Sequence, residues 1–134
     1  MAELMELEVA TPERQLVSDQ VSEIQVPGKN GYMGILPGHA PLLGEVGTGS
    51  LSYQCGSMRR YLAVQGGFLE VLPNRVRILA NLAELAEDID LDAARADLDK
   101  AQRQLGQPGE DSQAALDAVA LAQARLAAGE HKQQ

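Results

Sequence analysis

The chain predicts an α+β protein: an N-terminal antiparallel β-sandwich followed by a C-terminal antiparallel two-helix hairpin. Three observations carry that expectation. Apolar and polar residues alternate with period two through the first part of the chain, which also holds ten of the 13 glycines and five of the six prolines. Twelve alanines crowd the last 46 residues, where apolar positions recur three and four apart. Period-two patterning with one polar face marks antiparallel strands, and the longer period marks helices. No helical stretch separates the strand-like runs, which excludes a βαβ arrangement.

Taken in order, Met5, Leu7 and Val9 face one way, with Glu6 and Glu8 opposite. Ile24 and Val26 alternate with Glu23 and Gln25, and Leu51, Tyr53 and Cys55 alternate with Ser52 and Gln54. Val76, Ile78 and Ala80 alternate with Arg75 and Arg77. Turn signals stand at Thr11-Pro12, Pro27-Gly28, Gly47-Thr48-Gly49, Gly66-Gly67 and Pro73-Asn74, the glycine pair reading as a tight connection between strands. About eight or more short strands at such spacing imply a sandwich or flattened barrel. Between them, Gly34-Ile35-Leu36-Pro37-Gly38-His39-Ala40-Pro41-Leu42-Leu43 is a stiff loop, because proline fixes φ and glycine supplies shapes other residues resist. Its apolar side chains are either buried or presented to a partner.

Helix grammar begins near Glu87-Asp88, dividing the chain into a β-sandwich domain at 1–87 and a helical domain at 88–134. Leu91, Ala94, Leu98, Ala101 and Leu105 form a stripe, with Asp90 as N-cap and Gly106 as the C′ residue. Gln107-Pro108-Gly109 breaks the helix. A second helix starts near Asp111-Ser112, carries the seam Ala115, Val119, Ala122 and Leu126, and stops by Gly129. The polar residues beyond, His131 included, are expected to form a disordered tail. Alanine seams allow close approach but bury little area, and isolated helices of ~15 residues are marginal in water. The hairpin therefore needs a surface to lean on and is a candidate moving part.

Composition narrows the function. With 45% hydrophobic residues but no Trp, one Phe and three Tyr, the core must be aliphatic. A net charge of -8 repels nucleic acid and anionic lipid, so neither nucleic-acid binding nor direct lipid insertion is expected. The N-terminus lacks a secretory pattern, and no run approaches the roughly 20 apolar residues of a spanning helix. Cys55, the single cysteine, excludes an internal disulfide and a thiolate metal cluster. A cytosolic, soluble chain is the default reading.

Catalytic chemistry is scarce. His39 and His131 are the only histidines, too few for a histidine metal site, and no EF-hand spacing occurs. Gly28-Lys29-Asn30-Gly31-Tyr32-Met33-Gly34 is G-x-x-G-x-x-G, which fits neither the dinucleotide fingerprint nor the P-loop. No nucleophilic constellation can be assigned. The chain is expected to catalyse nothing alone and to hold no metal or resident cofactor.

The segment Gly34–Leu43 resembles the "GILPGHAPLL" segment of the epsilon subunit of rotary F-type ATP synthases. Gly66-Gly67-Phe68-Leu69-Glu70-Val71, Val76-Arg77-Ile78-Leu79-Ala80 and Ala83-Glu84 extend the likeness in order over nearly the whole chain. The resemblance implies a non-catalytic central-stalk rotor subunit, peripheral on the cytoplasmic side of the bacterial inner membrane. Its sandwich would contact the gamma subunit and the c-ring, through Lys29, Asn30, Gly31 and Tyr32 in one turn and Gly38, His39 and Leu42 in the stiff loop. Its hairpin would fold on the sandwich or extend along gamma into the alpha/beta head, where it impedes ATP hydrolysis. Leu91-Asp92-Ala93-Ala94-Arg95-Ala96 is similar to the element with which some bacterial epsilon subunits bind regulatory ATP, which makes Asp92, Arg95 and Arg125 candidate nucleotide contacts. At i,i+3 spacing Asp92 and Arg95 also read as a plain surface pair. Two rival readings remain: a stand-alone β-sandwich ligand-binding or sensor protein, disfavoured for sugars by 3% aromatic content, and a small enzyme.

Overall fold

The computed structural model describes residues 3–107, 109 and 112–132. Eight strands precede the helices: β1 (Met5–Ala10), β2 (Gln15–Val21), β3 (Glu23–Gly28), β4 (Gly31–Ile35), β5 (Leu42–Glu45), β6 (Thr48–Cys55), β7 (Met58–Leu72) and β8 (Arg75–Leu85). A 3-10 turn at Ala86–Asp88 leads into α1 (Leu91–Leu105) and α2 (Ser112–Gly129). Hydrogen bonding runs β2-β1-β8-β7-β6-β3-β4, with β5 joined to β7. All ladders are antiparallel except β1–β8, which is parallel.

One long strand pair makes the sandwich. The first half of β7 pairs with β6, its second half with β5, and β8 follows it along both. The bend falls at Gly66 and Gly67, with φ of 71° and 117°. These glycines therefore lie inside β7 and do not connect two strands, contrary to the sequence expectation. Positive φ is what the bend requires, and a Cβ on Gly67 would sit 2.0 Å from the Leu79 carbonyl oxygen. Here glycine marks a fold in a strand instead of its end.

The period-two reading holds elsewhere. Met5, Leu7, Val9, Ile24, Val26, Leu51, Tyr53, Val76, Ile78 and Ala80 are all buried in one cluster, which Cys55 edges. Each fully buried aliphatic side chain there contributes about 1.5–3 kcal/mol relative to exposure.

In the hairpin, the Asp90 carboxylate accepts from the Ala93 N–H, as the sequence predicts, while Gly106, expected at C′, is the C-cap itself with φ -89° and not the left-handed conformation. Ala94, Ala101, Ala115 and Ala122 are buried along the seam, while Leu105 is exposed. A second face of α2, Ala124 and Ala128, packs with Ala63, Tyr61, Ile89 and Leu91, so α2 lies between α1 and the sandwich. The surface the hairpin leans on is thus β6 and the first half of β7. His131 is not loose: its ring stacks on Tyr61, centroids 3.7 Å apart and 12° from parallel. Of the expected tail, Gln133 and Gln134 lie outside the described residues, as do Pro108 and Asp111 at the turn.

Candidate interaction surfaces

Two turns hold the sequence-predicted interface residues, and they stand at opposite ends of β5. Lys29 and Asn30 form the two-residue turn between β3 and β4, closed by the Gly28–Gly31 pair, with Gly31 at φ 129°. The Lys29 N–H donates to the Glu45 carbonyl (3.1 Å) and its Nζ pairs with the Glu45 carboxylate (3.2 Å), tying the turn to the end of β5. Tyr32 is exposed, and its hydroxyl accepts from the Ser50 N–H at 2.9 Å. The turn is held firmly, and Lys29 and Tyr32 fold back onto it while staying largely exposed.

At the other end of β5, the Gly38 N–H donates to the Pro73 carbonyl (2.7 Å), pinning the stiff loop to the β7–β8 turn. His39 N–H closes a tight turn onto the Leu36 carbonyl, and its Nδ1–H donates to the Ala40 carbonyl at 2.7 Å. The half-buried imidazole is held by its own loop. Of the loop's apolar side chains, Ile35 is core and Leu36 is exposed. Leu42, expected at an interface, is half-buried and packs against the core; the strand offers Leu43 outward, 78% exposed.

Leu43 belongs to a patch that the sequence reading did not assemble. Phe68 lies directly across from Leu79 on neighbouring strands, and both are largely exposed. Together with Leu43 they line a depression of about 320 Å³ bordered by Glu70 and Arg77. Arg77 donates to Glu8 at 3.1 Å, and Arg75 lies 3.5 Å from Glu8. The result is an apolar centre with a charged rim, the composition of an interface core. Alternation carried the signal: Leu79 shares the wet face of Arg75 and Arg77, and Phe68 that of Glu70.

The hairpin docks on the other layer. The Gln65 amide donates to the Asp117 carbonyl at 3.0 Å, and Arg125 donates through Nε to Glu84 (2.8 Å) and through a terminal nitrogen to Asp97 (3.3 Å). Of the three candidate nucleotide contacts, Asp92 and Arg95 pair with each other at 2.8 Å on an exposed helix face. The cleft they share is also lined by Glu87, Asp88 and Asp90, with Lys132. Arg125 does not line it and is engaged elsewhere. The structure does not gather the three around one cleft, and carboxylates outnumber cations in the cleft beside Asp92 and Arg95.

Among the described residues, no cluster of His, Cys, Asp and Glu is placed to hold a metal ion, and no helix is long and apolar enough to cross a membrane. These features define a β-sandwich with a lightly docked helical hairpin, whose worked surfaces are faces and turns. Residues 4–86 match the family model described as ATP synthase, Delta/Epsilon chain, beta-sandwich domain. The chain is 53% identical over 134 residues to the ATP synthase epsilon chain of Solibacter usitatus, covering 98% of this chain and 100% of that one. It is 46% identical over 109 residues to that of Koribacter versatilis (81% and 77% covered). The chain belongs to the ATP synthase epsilon-chain family. Its fold is also similar to chains in the Euglena gracilis mitochondrial ATP synthase (TM-score 0.83, 23% identity, 96% of this chain and 82% of that chain). A Tetrahymena thermophila mitochondrial ATP synthase central stalk/c-ring chain is similar at TM-score 0.62 and 18% identity, covering 90% and 95%.

Proposed function

We propose that the chain is a non-catalytic rotor subunit of a bacterial F-type ATP synthase, on the cytoplasmic side of the inner membrane. Residues 1–87 form the docking body, and residues 88–134 form a brake on ATP hydrolysis. The observation that carries this reading is the division of labour between the sandwich layers. One is covered by α2; the other presents Leu43, Phe68 and Leu79 uncovered within a charged rim. The uncovered face suits the gamma subunit, an elongated protein partner. The Lys29–Tyr32 turn, rigid and polar at its tip, suits a contact with the c-ring. The hairpin, with its alanine seam, is the part able to leave the sandwich toward the alpha/beta head. In the docked pose Arg125 pairs with Glu84 and Asp97.

Affinity purification of the tagged full-length chain from its own membranes tests the assignment. Gamma and c-subunit should come down with it in fixed ratio. Recovery of the chain alone, after mild detergent that keeps the complex intact, would overturn it in favour of a stand-alone sandwich protein.

A further inference from the structure

Arg125 sits where three elements meet. From α2 its guanidinium reaches Glu84 on β8 and Asp97 on α1, at 2.8 and 3.3 Å. The rest of the docking contact is Ala124 and Ala128 against Ala63, with Tyr61, Ile89 and Leu91 around them, the Gln65–Asp117 hydrogen bond and the His131–Tyr61 stack. Methyl-sized contacts hold weakly and without direction. The Arg125 side chain is only 18% exposed and that of Glu84 33%, so this pair is screened less than a surface pair, whereas Asp97 at 64% is close to one.

We infer that Arg125 is an ionic clasp that sets how much of the population has its hairpin docked. One guanidinium fixes α2 to the sandwich through Glu84 and aligns α1 through Asp97, so the two helices leave as a unit when it opens. The planar fork of arginine serves two carboxylates at once, which a lysine cannot reproduce. The clasp is also sensitive to competition: a carboxylate on a partner that reached Arg125 would take the place of Glu84 and free the hairpin. This gives the braking reading above a physical trigger, and rests on that reading only for its consequence in the complex.

Hydrogen exchange on the full-length isolated chain tests it. Arg125→Gln should raise exchange of α1 and α2 amides about tenfold, equivalent to roughly 1.4 kcal/mol, while the amides of β1, β6 and β8 keep their protection. Glu84→Gln should do nearly as much, Asp97→Asn clearly less, and the reversed pair Glu84→Arg with Arg125→Glu, which sets a new carboxylate against Asp97, should recover only part of the loss. Helix exchange within twofold of the parent chain in Arg125→Gln would overturn the clasp. So would an equal loss of protection in the core strands, which would make Arg125 a general stabiliser. A clasp effect on exchange without any change in hydrolysis by the assembled enzyme would sink the brake and leave the clasp standing.

Discussion

Phe68 and Leu79 face each other across β7 and β8 on the outside of the sandwich, 65% and 60% exposed. The inward neighbours Leu69 and Ile78 are buried, so the outward pair is not needed to fill the core. Replacing Phe68 or Leu43 by Asp should therefore change folding stability by no more than about 0.5 kcal/mol. The same variants should lose co-purification with gamma. Urea melts and pull-downs separate the two effects, and a large loss of stability with retained binding would remove the patch from the docking surface.

Much of this architecture is legible in the sequence because it rests on local rules. Strand alternation placed Met5, Leu7 and Val9 inside, and Asp90 and Gly106 marked the ends of α1. What failed was long-range. Nothing local distinguishes Gly66-Gly67 as a bend within a strand from a turn between two, since both need positive φ. Leu42 and Leu43 were indistinguishable until the register with Val71 and Glu70 fixed which faces inward. The same holds for Arg125: on a helical wheel it looks available to a ligand, and only the approach of β8 and α1 shows its partners. His131 reads as part of a tail in the sequence, because the ring it stacks on, Tyr61, lies 70 residues earlier in the chain.

Gly67 and Gly38 both have positive φ but should respond differently to alanine. At Gly38, φ 84°, an added Cβ meets nothing within 4 Å, so the cost is the backbone preference alone, about 1 kcal/mol. At Gly67 the Cβ would collide with the Leu79 carbonyl and the Ala80 Cα, both backbone atoms that cannot step aside. Gly67→Ala should cost about 3 kcal/mol or more. Denaturant midpoints of the two variants check the ordering, and similar values would refute the bend as a fixed point of the fold.

Truncation before Asp88 should leave the sandwich folded. The main core cluster draws all of its residues from positions 5–85, so none of that packing is lost. What the deletion uncovers is Tyr61 and Ala63 on the outer face. In reconstituted enzyme the truncated chain should assemble normally and raise the ATPase rate. Unchanged hydrolysis would argue against a braking hairpin.

Calorimetric titration of ATP into the full-length chain should give no saturable heat at millimolar nucleotide. Asp92 and Arg95 satisfy each other, and the surrounding Glu87, Asp88 and Asp90 repel phosphate. A saturable isotherm that Arg95→Ala abolishes would show that the helix pair rearranges around nucleotide.

Alkaline pH offers a probe of the sandwich interior. Tyr53 on β6 is 3% exposed and donates its hydroxyl proton to Asp19 on β2 at 3.2 Å. Burial first, and then the Asp19 charge and hydrogen bond, push its ionisation well above the ordinary 10.0. The folded chain therefore keeps this proton after the unfolded chain has released it. The stabilisation is fully present below pH 10 and is lost as pH climbs from there toward the folded value, with a limiting slope near 1.36 kcal/mol per pH unit. Tyr53→Phe should cost about 0.5–1.5 kcal/mol at pH 8 through the lost hydrogen bond. Above pH 10 its stability should fall less steeply than that of the parent chain, so the two urea midpoints converge. Parallel curves would show that the phenol ionises as freely in the folded chain as in the unfolded one.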